Sequence, residues 1–178
     1  MNKEYQYSAF GEAKYPYVNQ PDTEFNQDGV YHTKLLVDLE KARSDIKKID
    51  DVIAQEIKKQ HDLDPNKKIV KANKPYKTID DDLNIPEGKV EFHFKSKFKP
   101  KLKDRKAEPL GDDIQVWGGS ILSVSYEPVG YNVAGTGIGC TLRMAGCQIS
   151  KLEEGTSATS GFKPVNEDGS LIVWSHQK

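Results

Sequence analysis

The side chains of this chain best suited to chemistry are its cations. Between Lys89 and Lys106 the sequence reads KVEFHFKSKFKPKLKDRK. Val90, Phe92, Phe94 and Phe98 fall at even positions, and His93, Lys95, Lys97, Lys99, Lys101, Lys103 and Arg105 at odd ones. Successive side chains of a β-strand point to opposite faces, so this period of two predicts buried phenylalanines and a line of ammonium groups on the other side. Eight Lys/Arg against Glu91 and Asp104 give the segment a charge of +6 in a chain whose net charge is −1. A stripe so concentrated on a nearly neutral protein suits a polyanion. Edge lysines that discourage aggregation would account for about two or three of them. Five consecutive odd positions from Lys95 to Lys103 exceed that, although Pro100 ends the regular strand before the stripe finishes.

Aromatic residues supply the second half of a polyanion site, because stacking on Tyr or Trp adds roughly 1–3 kcal/mol per base whatever the base sequence. Tyr126 and Tyr131 flank an expected turn at Pro128–Gly130, and Trp117 ends the preceding strand beside Gly118–Gly119. Tyr126 and Tyr131 fit equally well as core anchors held by ring and hydroxyl. Other constellations are weaker. In Ala134-Gly135-Thr136-Gly137-Ile138-Gly139 the third glycine comes one residue too early for a dinucleotide loop, and a strand-like segment follows where a helix is needed. Asp80–Asp82 and Asp112–Asp113 read either as a divalent-ion site of nuclease type or as solvated turns. Ser120, Ser123 and Ser125 lack a nucleophile elbow. The four histidines, His32, His61, His93 and His176, make no short-spaced ligand pair with a cysteine, so no metal or cofactor and no catalysis are expected. Cys140 and Cys147 on one strand lie about 23 Å apart at about 3.3 Å per residue, which predicts reduced, partly buried thiols.

These residues need a scaffold. At 178 residues and 36% hydrophobic the chain supports one core, hence one domain with appendages. No apolar run approaches the roughly 20 residues that cross a bilayer, and MNKEYQYSAF lacks an apolar signal region, which places the expected location in the cytoplasm. Residues 5–18 alternate weakly as a strand with a bend at Gly11, 19–29 read as a loop, and GVYHTKLLVDL returns to strand. In Glu40–Gln60 the positions Ala42, Ile46, Ile49, Val52, Ile53 and Ile57 recur at threes and fours, predicting an amphipathic helix with Asp38 as N-cap. Polar loops are expected over 61–88 and 104–113, strands at Ile114–Trp117, Ile121–Tyr126 and Cys140–Ile149, and a weakly ordered tail from Glu153. The sum is a mainly β fold with one inserted helix: a five-stranded antiparallel OB barrel plus extensions over 1–152, then a tail over 153–178.

The opening SAFGEAKYPYVNQPD, then DGVYHTKLLVDL, the helix, KPY at Lys74–Tyr76, FHFKSKF at Phe92–Phe98 and GGSILSVSYEPVGYNVAG occur in an order that resembles the OB-fold single-stranded-DNA-binding proteins of tailed phages, including the short-tailed coliphages. The resemblance runs over about residues 7–152. It implies a non-enzymatic protein that coats and protects single strands in phage DNA replication, recombination and repair, promotes annealing, forms a homodimer and contacts replisome proteins such as polymerase and helicase-primase. By the resemblance Lys95, Lys97 and Tyr131 match DNA-contacting positions. Lys97 stands where relatives can carry an aromatic residue, which points it to phosphate. Lys99 and Lys101 of the stripe, Trp117, Tyr126, Lys74 and Tyr76 of KPY, and Arg143 of the last strand complete the candidate contacts.

The tail departs from that family, whose members commonly end acidic. Here Glu153, Glu154, Glu167 and Asp168 stand against Lys151, Lys163 and Lys178, and the tail turns apolar at Leu171-Ile172-Val173-Trp174. An alternative reading makes the chain a protein-interaction module acting through this apolar segment, its lysines only solubilising.

Overall fold

The computed structural model describes residues 4–24, 26–111, 113–153 and 166–170. Its strands are β1 (Gln6–Tyr7), β2 (Gly11–Asp22), β3 (Val30–Asp38), β4 (Tyr76–Lys77), β5 (Lys89–Ser96), β6 (Lys101–Lys103), β7 (Ile121–Val133) and β8 (Gly137–Lys151), with one helix, α1 (Leu39–Leu63), between β3 and β4. In β5 the expected parity holds: Val90, Phe92, Phe94 and Ser96 are buried and Lys95 is exposed. It fails one step later. The strand stops at Ser96, whose Oγ accepts a hydrogen bond from the Phe98 amide at 3.0 Å, and Phe98 turns out to 81% exposure instead of joining the core.

Pairing runs β2–β3–β5 antiparallel, β5–β8 parallel, β8–β7 antiparallel and β7–β2 antiparallel, the strand circuit of an OB fold. The β5–β8 and β2–β7 junctions hold by two residue pairs each, so the circuit is loosely joined there and is not a continuous closed barrel. β1 adds to the outside of β7, and β6 runs parallel to β8.

Several segments differ from expectation. β2 extends through Asn19–Asp22, where a loop was expected. The polar 61–88 stretch contributes β4 and a bridge from Lys71 to Ile138. Ile114–Trp117 is not a strand. The expected turn at Pro128–Gly130 is strand: β7 passes through it, with Pro128 opposite Leu142. Proline is tolerated because β7 beyond Tyr126 pairs with β8 alone, and a strand with one unpaired edge loses no ladder bond on that side. The actual turn lies at Ala134–Thr136, with Gly135 in it at φ of 84° and Gly137 just after it at 104°, so the glycine-rich run is a hairpin. The Leu171–Trp174 segment lies outside the described residues.

The apolar stripe of α1 behaves as its spacing predicts. Ala42, Ile49 and Ile53 are buried and Ile46, Val52 and Ile57 pack against the core, facing mainly β7 and β8. Asp38 occupies the N-cap position, but its carboxylate binds Lys89 and lies 3.7 Å from Lys41, and makes no hydrogen bond to the helix backbone. Cys140 and Cys147 are free and buried, and burial pushes their thiols up to about 11 and about 12, which leaves them protonated at neutral pH.

A polar contact inside the core ties helix to sheet. Tyr126 is wholly buried, its ring centroid is 5.1 Å from Phe94, and its hydroxyl donates to the buried Asp45 carboxylate of α1. Burial raises the Asp45 pKa above its ordinary 3.8, with the tyrosine hydrogen bond pulling the other way. The folded chain therefore holds this proton more tightly, and the stability it contributes at acid pH is lost as pH rises through the raised value. His93, on β5, has the opposite sense. Burial first, then the charges of Lys95, His32, Lys34 and Lys77, lower it from 6.5 to about 4.

Removing the hydroxyl with Tyr126→Phe strands a buried carboxylate and is expected to cost about 1–3 kcal/mol in urea or thermal unfolding; an unchanged midpoint would show that the bond does not join helix to sheet. For His93 the stability is complete above pH 6.5 and is lost as pH falls toward about 4. His93→Gln should flatten the fall in melting midpoint across that window, as followed by calorimetry.

Candidate nucleic-acid interface

On the outer side of β2, β3, β5 and β8 the ladder registers place residues in rows. Tyr17 lies opposite His32, His32 opposite Lys95, and Lys95 opposite Arg143, so one row crosses four strands. The Tyr17 and His32 rings are 4.8 Å apart, and His32 meets His93 edge-on at 5.7 Å. The His32 imidazole contacts Asp22 at 2.8 Å, a bond that holds the Asp22 carboxyl below its ordinary range. The next row is Lys14, Lys34 and His93.

The charges in these rows are unequally neutralised. Glu91 binds Lys14 at 3.2 Å and lies 3.8 Å from Lys34, which quiets the second row. Lys95 and Arg143 stand side by side, an arrangement that like charges disfavour, and neither makes an ion pair among the described residues. Arg143 also faces Glu127 across β7 in register. An anion laid on this row would relieve the repulsion.

Beside the rows a cleft of about 790 Å³ is lined by Lys14 and Lys34, by Tyr15, Tyr17 and Trp117, and by the carboxylates of Glu12, Asp82 and Glu91. Tyr15 carries φ of +49°, a left-handed conformation that costs a residue with a Cβ roughly 1–2 kcal/mol. It sits where Pro16 breaks the β2–β3 register between Lys14 and Tyr17, and the resulting bulge turns its ring out to 73% exposure. Trp117, 48% exposed, lines the same cleft.

The remaining candidates scatter. Lys97 is exposed on the bulge after Ser96, which also carries Lys99, and Lys101 is exposed on β6. Tyr131 is half-buried and lies against Gly139, where a Cβ would come within 2.5 Å of its hydroxyl; four residues along β8 from Arg143, it is about 13 Å from the Lys95 row at about 3.3 Å per residue. Tyr126 is not available for stacking, because it is sealed between Phe94 and Asp45. Lys74 and Tyr76 are tied to the helix. Tyr76 donates to Asp50 of α1 at 2.7 Å, and Lys74 lies 3.2 Å from the Tyr76 hydroxyl and 3.6 Å from Asp50, so the pair clips the 61–88 segment to the helix. The acidic triplet is turn chemistry: Asp81 accepts from the Thr78 amide and Asp82 from the Asn84 amide. Among the described residues no cluster of acidic, His or Cys side chains could hold a metal.

Tyr15, Tyr17, His32, Lys14 and Lys34 are candidates the sequence reading missed. Their signal was the Tyr15-Pro16-Tyr17 triplet, because a proline within a strand marks a bulge and here has an aromatic residue on each side.

No family model matches the chain, and no curated protein sequence matches it. Solved structures do. The single-stranded DNA binding protein gp2.5 encoded by bacteriophage T7 aligns with a TM-score of 0.71 at 21% identity, over 93% of this chain and all of that one. The single-stranded DNA-binding protein from bacteriophage Enc34, solved in complex with ssDNA, aligns with a TM-score of 0.62 at 18% identity over 86% of this chain and 89% of that one. A C-terminal truncation of the Enc34 protein gives 0.62 at 18% identity, covering 84% and 87%. The chain thus has the OB fold found in single-stranded DNA-binding proteins of bacteriophages.

Proposed function

We propose that this chain binds single-stranded DNA on the outer face of β2, β3, β5 and β8, with little dependence on base sequence. The observation that carries the reading is the row Tyr17–His32–Lys95–Arg143, in which flat rings adjoin two cations that make no ion pair among the described residues. Lys95 and Arg143 bind phosphates, with Lys97 added from the bulge, while Tyr15, Tyr17 and Trp117 offer faces to bases. Tyr131 extends the surface at the hairpin. The shared fold with a protein solved in complex with ssDNA supports the same reading.

No bond is made or broken in this account. Its role is to coat and protect single strands during replication, recombination and repair, and to assist annealing. A second copy of the chain and replisome proteins are the partners that belong to the same proposal.

The direct test is fluorescence anisotropy of labelled oligothymidine at two salt concentrations. Affinity is expected to fall by about 0.7 log units per tenfold salt for each phosphate contacted, and Lys95→Ala and Arg143→Ala should each lower that slope by about 0.7. Absent binding at low salt, or tighter binding to duplex, would sink the proposal. A second expectation concerns Tyr15. Glycine adopts the left-handed conformation without cost, so Tyr15→Gly should leave the melting midpoint level or higher while weakening oligothymidine on the order of tenfold, the loss of one stacked base. Undiminished affinity would take Tyr15 out of the interface.

A further inference from the structure

A second row of the same design lies on the far part of β8. Tyr7 pairs with Ser125, Ser125 with Gly146, and Gly146 with Lys101, so four strands present in order an aromatic ring, two small residues and a cation. These residues, with Tyr5 and Lys103, line a cleft of about 430 Å³. Tyr7 is 73% exposed, a large unburied ring. The floor is kept low by composition. A Cβ on Gly146 would lie 3.0 Å from the Lys101 carbonyl oxygen and 3.2 Å from Ser125 Oγ, so any larger residue there fills the trough.

The electrostatics are one-sided. Among the described residues no carboxylate lines the cleft, and Lys101 and Lys103 make no ion pair. The two rows are also joined. β5 and β6 both run parallel to β8, and from Lys95 to Lys101 six residues pass while β8 advances only from Arg143 to Gly146. The surplus chain bulges into solvent and carries Lys97, Phe98 and Lys99 from one row to the other.

We propose that the Tyr7–Lys101 cleft is a second nucleotide-binding subsite, which takes the continuation of the single strand held at Lys95 and Arg143. Tyr7 stacks on a base, the small floor admits it, and Lys101 and Lys103 meet the flanking phosphates. The inference rests on the reading of the chain as a single-strand binder and adds a direction to it: the DNA leaves the first row along the Lys97–Lys99 bulge.

The test compares oligothymidines of about 4 and about 16 nucleotides, the limits of a single OB-fold footprint, on the full chain and on a Tyr7→Ala/Lys101→Gln variant. Both replaced side chains are exposed, and an unchanged melting midpoint verifies the fold. The longer oligonucleotide should lose on the order of tenfold in affinity and about 0.7 in salt slope, while the shorter one, filling the first row, keeps its affinity. Unchanged affinity for the longer strand overturns the second subsite. Equal loss at both lengths overturns it as a continuation, because the cleft would then hold the primary site. If the unsubstituted chain binds neither length, the DNA reading itself fails.

Discussion

Phe94 is wholly buried, its ring 5.1 Å from Tyr126 and 5.8 Å from Phe92, and this contact fixes which side of β5 meets water. Side chains alternate along a strand, so a slip of one residue would carry Phe94 out and Lys95 in. A buried, unpartnered ammonium costs several kcal/mol, and the aromatic core would lose its apolar area as well. The slip is forbidden from both sides. Lys95 is therefore held outward by the phenylalanines on the other face of its strand, and Arg143 is set beside it because Phe94 pairs with Leu142 in the same parallel ladder.

The outer surface inherits its pattern from that register. β8 serves as a common rail: β5 meets its first half and β6 its second, and the mismatch in length between them throws Lys97, Phe98 and Lys99 into solvent. On the other flank, Tyr15 keeps a strained backbone that a glycine would relieve, a sign that the ring's placement is worth more than the local strain. Stability and binding are thus divided between the two sides of the same strands. The inner side carries Tyr126, Asp45 and the helix stripe, and the outer side carries charge repulsion and exposed rings that no folding argument requires.

What the sequence made legible follows from range. Short-period signals worked: the parity of β5 up to Ser96, the apolar stripe of α1 and the inert thiols all depend on neighbours within a turn or two. Contacts across long separations did not. Tyr126 could be read as core or as stacking face until Asp45, 81 residues away, settled it in the core. Nothing in the sequence tied Lys74 and Tyr76 to Asp50 of the helix. Pro128 and Gly130 carry turn chemistry, yet the long β7–β8 ladder overrode it. Phe98 obeyed the period but not the strand, which the Ser96 hydroxyl ends.

The central claim is that single-stranded DNA lies across the Tyr17–His32–Lys95–Arg143 row. Nuclear magnetic resonance of the isotope-labelled chain, titrated with oligothymidine, tests it residue by residue. The account predicts that the amide and side-chain signals of Tyr17, His32, Lys95 and Arg143 shift first and most, while those of α1 and the Lys74–Tyr76 clip stay in place. Shifts confined to the helix and the clip, with that row unmoved, would contradict it.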